Sequence, residues 1–137
     1  MKYCLFIPLL LLSCVQKKLS GNKGYQNFIE NLPNYSVELS DEKVLLLVLS
    51  KSECELCEQK ITELVHTNFR TKTYLFSNDK ANKYNALFIA NKDLAKFNLL
   101  SAEGFIFILN KQKISYAKNI DTGHINDQIN ELLQVLH

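Results

Sequence analysis

Apolar and polar residues follow one another with distinct periods along most of the chain, and each period predicts a kind of element. The most distinctive segment is the continuous apolar run Val-Leu-Leu-Leu-Val-Leu at residues 44–49. Because this run has no polar alternation, it predicts a central strand of a parallel sheet, buried on both faces. Helices are then needed to cover both sides of that sheet.

Three segments place apolar residues at helical spacing. Residues 25–32 form a short pattern of this kind that Pro33 ends, which predicts a short N-terminal helix. A second stripe follows the central strand and comprises Cys57, Ile61, Leu64, Val65 and Phe69. The last stripe comprises Ile125, Ile129, Leu132, Leu133 and Leu136. Asp121 or Thr122 is placed to cap the start of this last helix.

The remaining apolar segments are short. Residues 73–76 predict a second strand, and residues 105–109 and 114–117 predict a hairpin with its turn at 110–113. Residues 87–89 fit a short strand or part of a helix, and residues 93–97 fit one or two helical turns. The complete order of elements predicts an α/β fold with a mixed central sheet flanked by helices.

The first residues of the chain have the features of an export signal. Lys2 provides a positive start, and the apolar core at residues 5–12 is shorter than the roughly 20 residues that span a bilayer as a helix. The segment ends in Leu11-Leu12-Ser13-Cys14, which resembles the lipobox of bacterial lipoproteins. The resemblance implies that Cys14 carries acyl chains such as palmitate and becomes the mature N-terminus. An ordinary secretory signal with an unrelated cysteine is the alternative.

The resemblance to a lipobox and the helix stop at Pro33 together predict a signal peptide at 1–13, a tether and short helix at 14–35, and a domain at 36–137. Removal of the signal leaves 137 − 13 = 124 residues, enough for one domain. No later apolar stretch has membrane-spanning length, so the lipid alone would attach the protein to a membrane. Because Val15 is not the aspartate that retains some lipoproteins in an inner membrane, the outer membrane is favoured, with the domain in the periplasm of a bacterial cell envelope.

The charge balance gives no sign of a nucleic-acid partner. The chain has 16 basic and 14 acidic residues and a pI near 8.3, so it lacks the large positive field that attracts phosphate backbones. The sequence also contains no phosphate-binding loop and no defensible Ser-His-Asp arrangement, and hydrolase and nucleotide-binding functions are not supported.

The candidate chemistry lies in Cys54-Glu55-Leu56-Cys57, which follows the central strand and precedes a helical pattern. Two cysteines at this spacing can close a small disulfide, and the free N–H groups of a helix start stabilise a thiolate. With Cys4 discarded and Cys14 acylated, this pair holds the only remaining thiols in a compartment that permits disulfides. The pattern indicates thiol-disulfide exchange.

The order of strand, Cys-x-x-Cys helix, strand, helical region, hairpin and final helix resembles the thioredoxin fold from about residue 36 onwards. The likeness to anchored thioredoxin-like proteins of bacterial envelopes includes residues 91–97 and the hairpin stretch 105–114. The resemblance implies that Cys54 attacks a protein disulfide and that Cys57 resolves the mixed disulfide. It also implies protein thiol or disulfide substrates and a membrane electron donor, and it requires no cofactor.

The proline pattern departs from that family. Thioredoxin-like proteins keep a cis-proline before the hairpin, facing the thiols, but this chain has only Pro8 and Pro33. The register of the hairpin assigns Glu103, or less favourably Gly104, to that substrate-loop position. Since a cis bond without proline costs roughly 2.5–4 kcal/mol, we expect a trans peptide and a remodelled loop.

The surroundings of the thiols also differ from the family pattern. The acidic residues Glu53, Glu55 and Glu58 disfavour a thiolate, and Lys51 and Lys60 offset only part of this effect. We therefore expect the pKa of Cys54 to be less depressed than in strongly oxidising relatives, as suits a reductant or an exchanger. Val48 occupies the position where thioredoxins often keep a buried acid.

Two other functions fit the same cysteines. They can form a fixed disulfide, or an inert pair on a non-catalytic binding module. Alternatively, Cys54 and Cys57 can bind a metal such as copper together with His66 or His124. Each histidine is more simply explained as a solvated surface residue, and so no metal ligand is assigned.

Overall fold

The structure is a computed structural model that describes residues 22–50, 59–63, 71–81, 85–100 and 103–136. Within this part of the chain, five strands form one mixed sheet in the spatial order β3-β2-β1-β4-β5. The strands are β1 (Val44–Leu49), β2 (Lys72–Ser77), β3 (Leu87–Phe88), β4 (Gly104–Asn110) and β5 (Lys113–Asn119). The predicted α/β class with a mixed sheet is confirmed.

Helical segments flank the sheet. They are α1 (Lys23–Asn31), the helical residues 59–63 (α2), α3 (Asn91–Lys96) and α4 (Ile125–Leu136). A 3-10 helix extends α1 over Leu32–Tyr35, and another precedes α4 at Thr122–His124. Asp121 caps this second 3-10 helix, because its side chain accepts a hydrogen bond from the Gly123 N–H. Of the two predicted caps, the structure thus selects Asp121.

Strand β1 is the centre of the sheet, as its apolar run predicts. All six of its residues are buried. It pairs in parallel with β2 and antiparallel with β4. The predicted hairpin is also confirmed, because β4 and β5 pair antiparallel around Lys111 and Gln112. Both turn residues have positive φ, 51° and 66°, which matches the right-handed twist of the strands.

The side chains of β1 alternate between two cores. One core, the aromatic face, combines Val44, Leu46 and Val48 of β1 with α1, α3 and the alternate β4 residues Phe105 and Phe107. The other core, the aliphatic face, combines Leu45, Leu47 and Leu49 with α2, α4 and the alternate β4 residues Ile106 and Ile108. All the buried members of the aliphatic face are Leu or Ile. The chain thus covers both faces of β1, as a fully buried strand requires.

Helix α1 is an integral part of the aromatic face. Its start is capped by Asn22, whose side chain accepts a hydrogen bond from the Tyr25 N–H. Phe28 and Leu32 are fully buried in the core. The α-helix ends at Asn31 and tightens into the 3-10 helix that contains Pro33, consistent with the predicted stop at this proline.

Candidate functional site

The residues predicted from sequence to carry chemistry fall into two groups. Cys14, Cys54, Cys57 and His66 lie outside the described residues. Glu103, Gly104 and His124 are described, as are residues 22–50 and 59–63, which precede and follow the thiol segment. The structure therefore describes the elements around the candidate site, which we call its frame. The frame consists of the end of β1, the start of β4, and the adjoining ends of α2 and α4.

Ser50 directly follows β1 and lies four residues before Cys54. Ser50 is 7% exposed, and its hydroxyl has no hydrogen-bond partner within the described ranges. Buried hydroxyls in proteins usually have a hydrogen-bond partner. The burial of Ser50 was not predictable from sequence, because a serine after an apolar strand is typical of a solvated turn. Ser50 adds a buried donor to the frame of the site.

Gly104 fixes the start of β4 against the end of β1. It pairs with Leu49 and has a φ of 132°, a region that residues with a side chain rarely adopt. A Cβ added there would lie 2.1 Å from the Val48 carbonyl oxygen and 3.0 Å from Cδ1 of Ile120. Only glycine permits this close approach of the two strands. The hairpin pattern predicted the strand but contained no sign of this packing.

Glu103 and Gly104 adjoin the carboxyl end of β1, since Gly104 pairs with the last residue of that strand. Gly104 is buried and Glu103 is half-buried. The peptide bond between them is trans, and no cis peptide occurs among the described residues. Their contact with a substrate stays a prediction.

Val48 is fully buried in the aromatic face, whereas α2 packs on the aliphatic face through Ile61. Val48 and α2 therefore lie on opposite sides of the sheet. Lys60 of α2 donates a hydrogen bond to the Asn126 side chain in the first turn of α4. This contact brings the helix that follows the thiols together with the start of α4.

An Asp-His pair stands at the start of α4. The Asp121 carboxylate lies 2.9 Å from Nδ1 of His124 and accepts a hydrogen bond from the Gly123 N–H. The hydrogen bond from His124 is the main cause that lowers the pKa of Asp121. Both side chains are largely exposed, at 71% for His124 and 53% for Asp121. His124 is thus held at the end of the sheet where β1 ends, with its Nδ1 occupied.

Metal coordination gains no support from the described part of the chain. Within it, no three His, Cys, Asp or Glu side chains are grouped closely enough to hold a metal ion. His124 has Asp121 as its partner, and His66 lies outside the described ranges. The predicted alternative with Cys54, Cys57 and a histidine stays a prediction.

The carboxyl end of β2 adjoins the same edge of the sheet and is polar. Ser77 Oγ accepts a hydrogen bond from the Asp79 N–H, and the Asn78 amide donates to the Asn91 side chain at the start of α3. These contacts join the end of β2 to α3 and so fix the neighbouring wall of the frame.

None of the helices in the described ranges is both long and apolar enough to cross a membrane. Comparison with protein-family models gives no match to this sequence. Comparison with curated proteins gives no match either. The functional interpretation therefore depends on the residues of this chain and their arrangement.

Proposed function

We propose that the protein is a lipid-anchored thiol-disulfide oxidoreductase with a thioredoxin-like fold, and that it reduces or exchanges disulfides of protein partners in a bacterial envelope. One observation carries the proposal: Cys54 and Cys57 stand in the chain between the buried central strand β1 and the helical residues 59–63. A thiol pair between a strand and a helix start is the setting in which a thiolate is stabilised.

The arrangement of the elements supports the assignment of a thioredoxin-like fold. The chain runs from a central strand through α2 to a parallel neighbour, then through α3 to an antiparallel hairpin and a final helix. Helices cover both faces of the sheet. This order is the one on which the thioredoxin resemblance rests, and the hairpin begins beside the end of β1.

The proposed reaction moves two electrons from the protein to its substrate. The Cys54 thiolate attacks one sulfur of a substrate disulfide, forming a mixed disulfide and releasing one substrate thiolate. Cys57 then loses its proton and attacks Cys54, so the Cys54–Cys57 disulfide forms and the second substrate thiolate leaves. Both substrate thiolates take up protons. A membrane electron donor then returns two electrons to the Cys54–Cys57 disulfide.

The reduction potential of the Cys54–Cys57 pair tests this proposal. The lipid-free protein would be equilibrated against glutathione and dithiothreitol, and its free thiols would be counted by alkylation. We expect a reversible two-electron transition above roughly −300 mV, in the reductant range rather than the strongly oxidising range. A Cys57→Ser variant should accumulate the mixed disulfide with a protein substrate.

Two outcomes would contradict the proposal. A pair that stays oxidised far below −300 mV, on the order of the potentials of structural disulfides, would indicate a fixed staple. Thiols that never pair but purify with stoichiometric metal would indicate a metal site instead. A Cys54→Ser variant is the matched control, because it should lose both the transition and the mixed disulfide.

A further inference from the structure

We draw no further inference here: the strongest candidate, the side-chain pair of Asp121 and His124 at the start of α4, is largely exposed and has no third His, Cys, Asp or Glu side chain grouped with it among the described residues, so nothing in the structure indicates what it would bind.

Discussion

The aromatic face and the aliphatic face share the same two central strands, β1 and β4, but differ in what packs above them. On the aromatic face, the ring of Phe28 lies 5.5–5.7 Å, between centroids, from the rings of Phe76, Phe97 and Phe107. On the aliphatic face, α2 and α4 contribute Ile and Leu side chains to the buried core. One sheet is therefore covered by interlocked rings on one side and by branched chains on the other.

The two faces also differ in their relation to the candidate site. The aromatic face binds α1 into the fold and so fixes where the chain enters. The aliphatic face carries α2, which follows the thiols, and α4, which holds Asp121 and His124 at its start. Rings that contact one another on several sides leave little freedom to readjust, whereas aliphatic side chains can repack more easily. We expect the larger energetic cost of truncation on the aromatic face.

The substitution Phe28→Ala should have the largest effect. It removes a fully buried ring from the centre of three others, and the neighbouring rings cannot fill the cavity. We expect a loss of about 3–5 kcal/mol in the free energy of unfolding, measured by urea denaturation. Phe28→Leu is the control, because it keeps an apolar side chain there and should lose clearly less. A loss below about 2 kcal/mol for Phe28→Ala would show that this face readjusts freely.

The substitution Leu132→Ala makes the corresponding change on the aliphatic face. Leu132 is fully buried there, on α4. We expect a loss of about 2–4 kcal/mol, smaller than for Phe28→Ala, because fewer atoms are removed and the surrounding Leu and Ile chains can move inward. The exposed position Asn130 on the same helix provides the control, since Asn130→Ala should change stability little. A loss equal to that of Phe28→Ala would contradict the proposed difference between the faces.

The sequence predicted the elements that have a strong periodicity of apolar residues. The run at 44–49, the hairpin and the last helix have clear patterns, and the structure contains all three. Sequence periodicity does not predict that α1 and α3 cover one face and α4 the other. The face that each helix covers depends on the strand order and on the crossover connections. The short β3 was ambiguous, since two residues are too few to establish a period.

The frame of the candidate site was harder to predict than the fold. Gly104 is required by the close approach of the Val48 carbonyl, which is a contact between residues 56 positions apart. The buried hydroxyl of Ser50 and the pairing of Lys60 with Asn126 likewise follow from tertiary packing. The thiol pair itself was evident from sequence, because its spacing is a local pattern.

Polar contacts also join elements on each face, and the hydrogen bond between Tyr35 and Asp93 on the aromatic face should matter more than the exposed ion pair of Lys118 and Glu131 on the aliphatic face. The Tyr35 hydroxyl donates to the Asp93 carboxylate over 3.2 Å and so joins the 3-10 helix to α3. Tyr35→Phe should cost about 1 kcal/mol, the usual net contribution of one hydrogen bond. Asp93→Asn is the matched variant, because it keeps an acceptor for the hydroxyl. A cost below about 0.3 kcal/mol would indicate that solvent replaces this bond fully.

The same contact has a pH dependence. Burial first, and then the Asp93 charge and its hydrogen bond, raise the pKa of Tyr35 from 10.0 to about 12. The folded state therefore keeps this proton at a pH where the unfolded state loses it. The stabilising contribution is complete below pH 10 and disappears as the pH rises towards about 12. The advantage of the parent over Tyr35→Phe should narrow across this window in urea titrations, and an advantage that widens there would contradict the assigned contact.

An exposed ion pair on the aliphatic face should have the smallest effect. Lys118 of β5 and Glu131 of α4 form an ion pair of 2.6 Å, but their side chains are 47% and 42% exposed. Water and salt screen such a pair, so Glu131→Gln should cost at most about 0.5 kcal/mol, and less at high salt. Urea titrations at low and high ionic strength measure this difference. The same titrations of Glu63→Gln, which removes another exposed carboxylate on α2, provide the comparison. A loss above about 1.5 kcal/mol that persists in high salt would mean that the aliphatic face depends on its charges as well as its buried Leu and Ile. A small, salt-sensitive loss would leave apolar burial as the interaction that holds α4 to the sheet and Asp121 and His124 beside the end of β1.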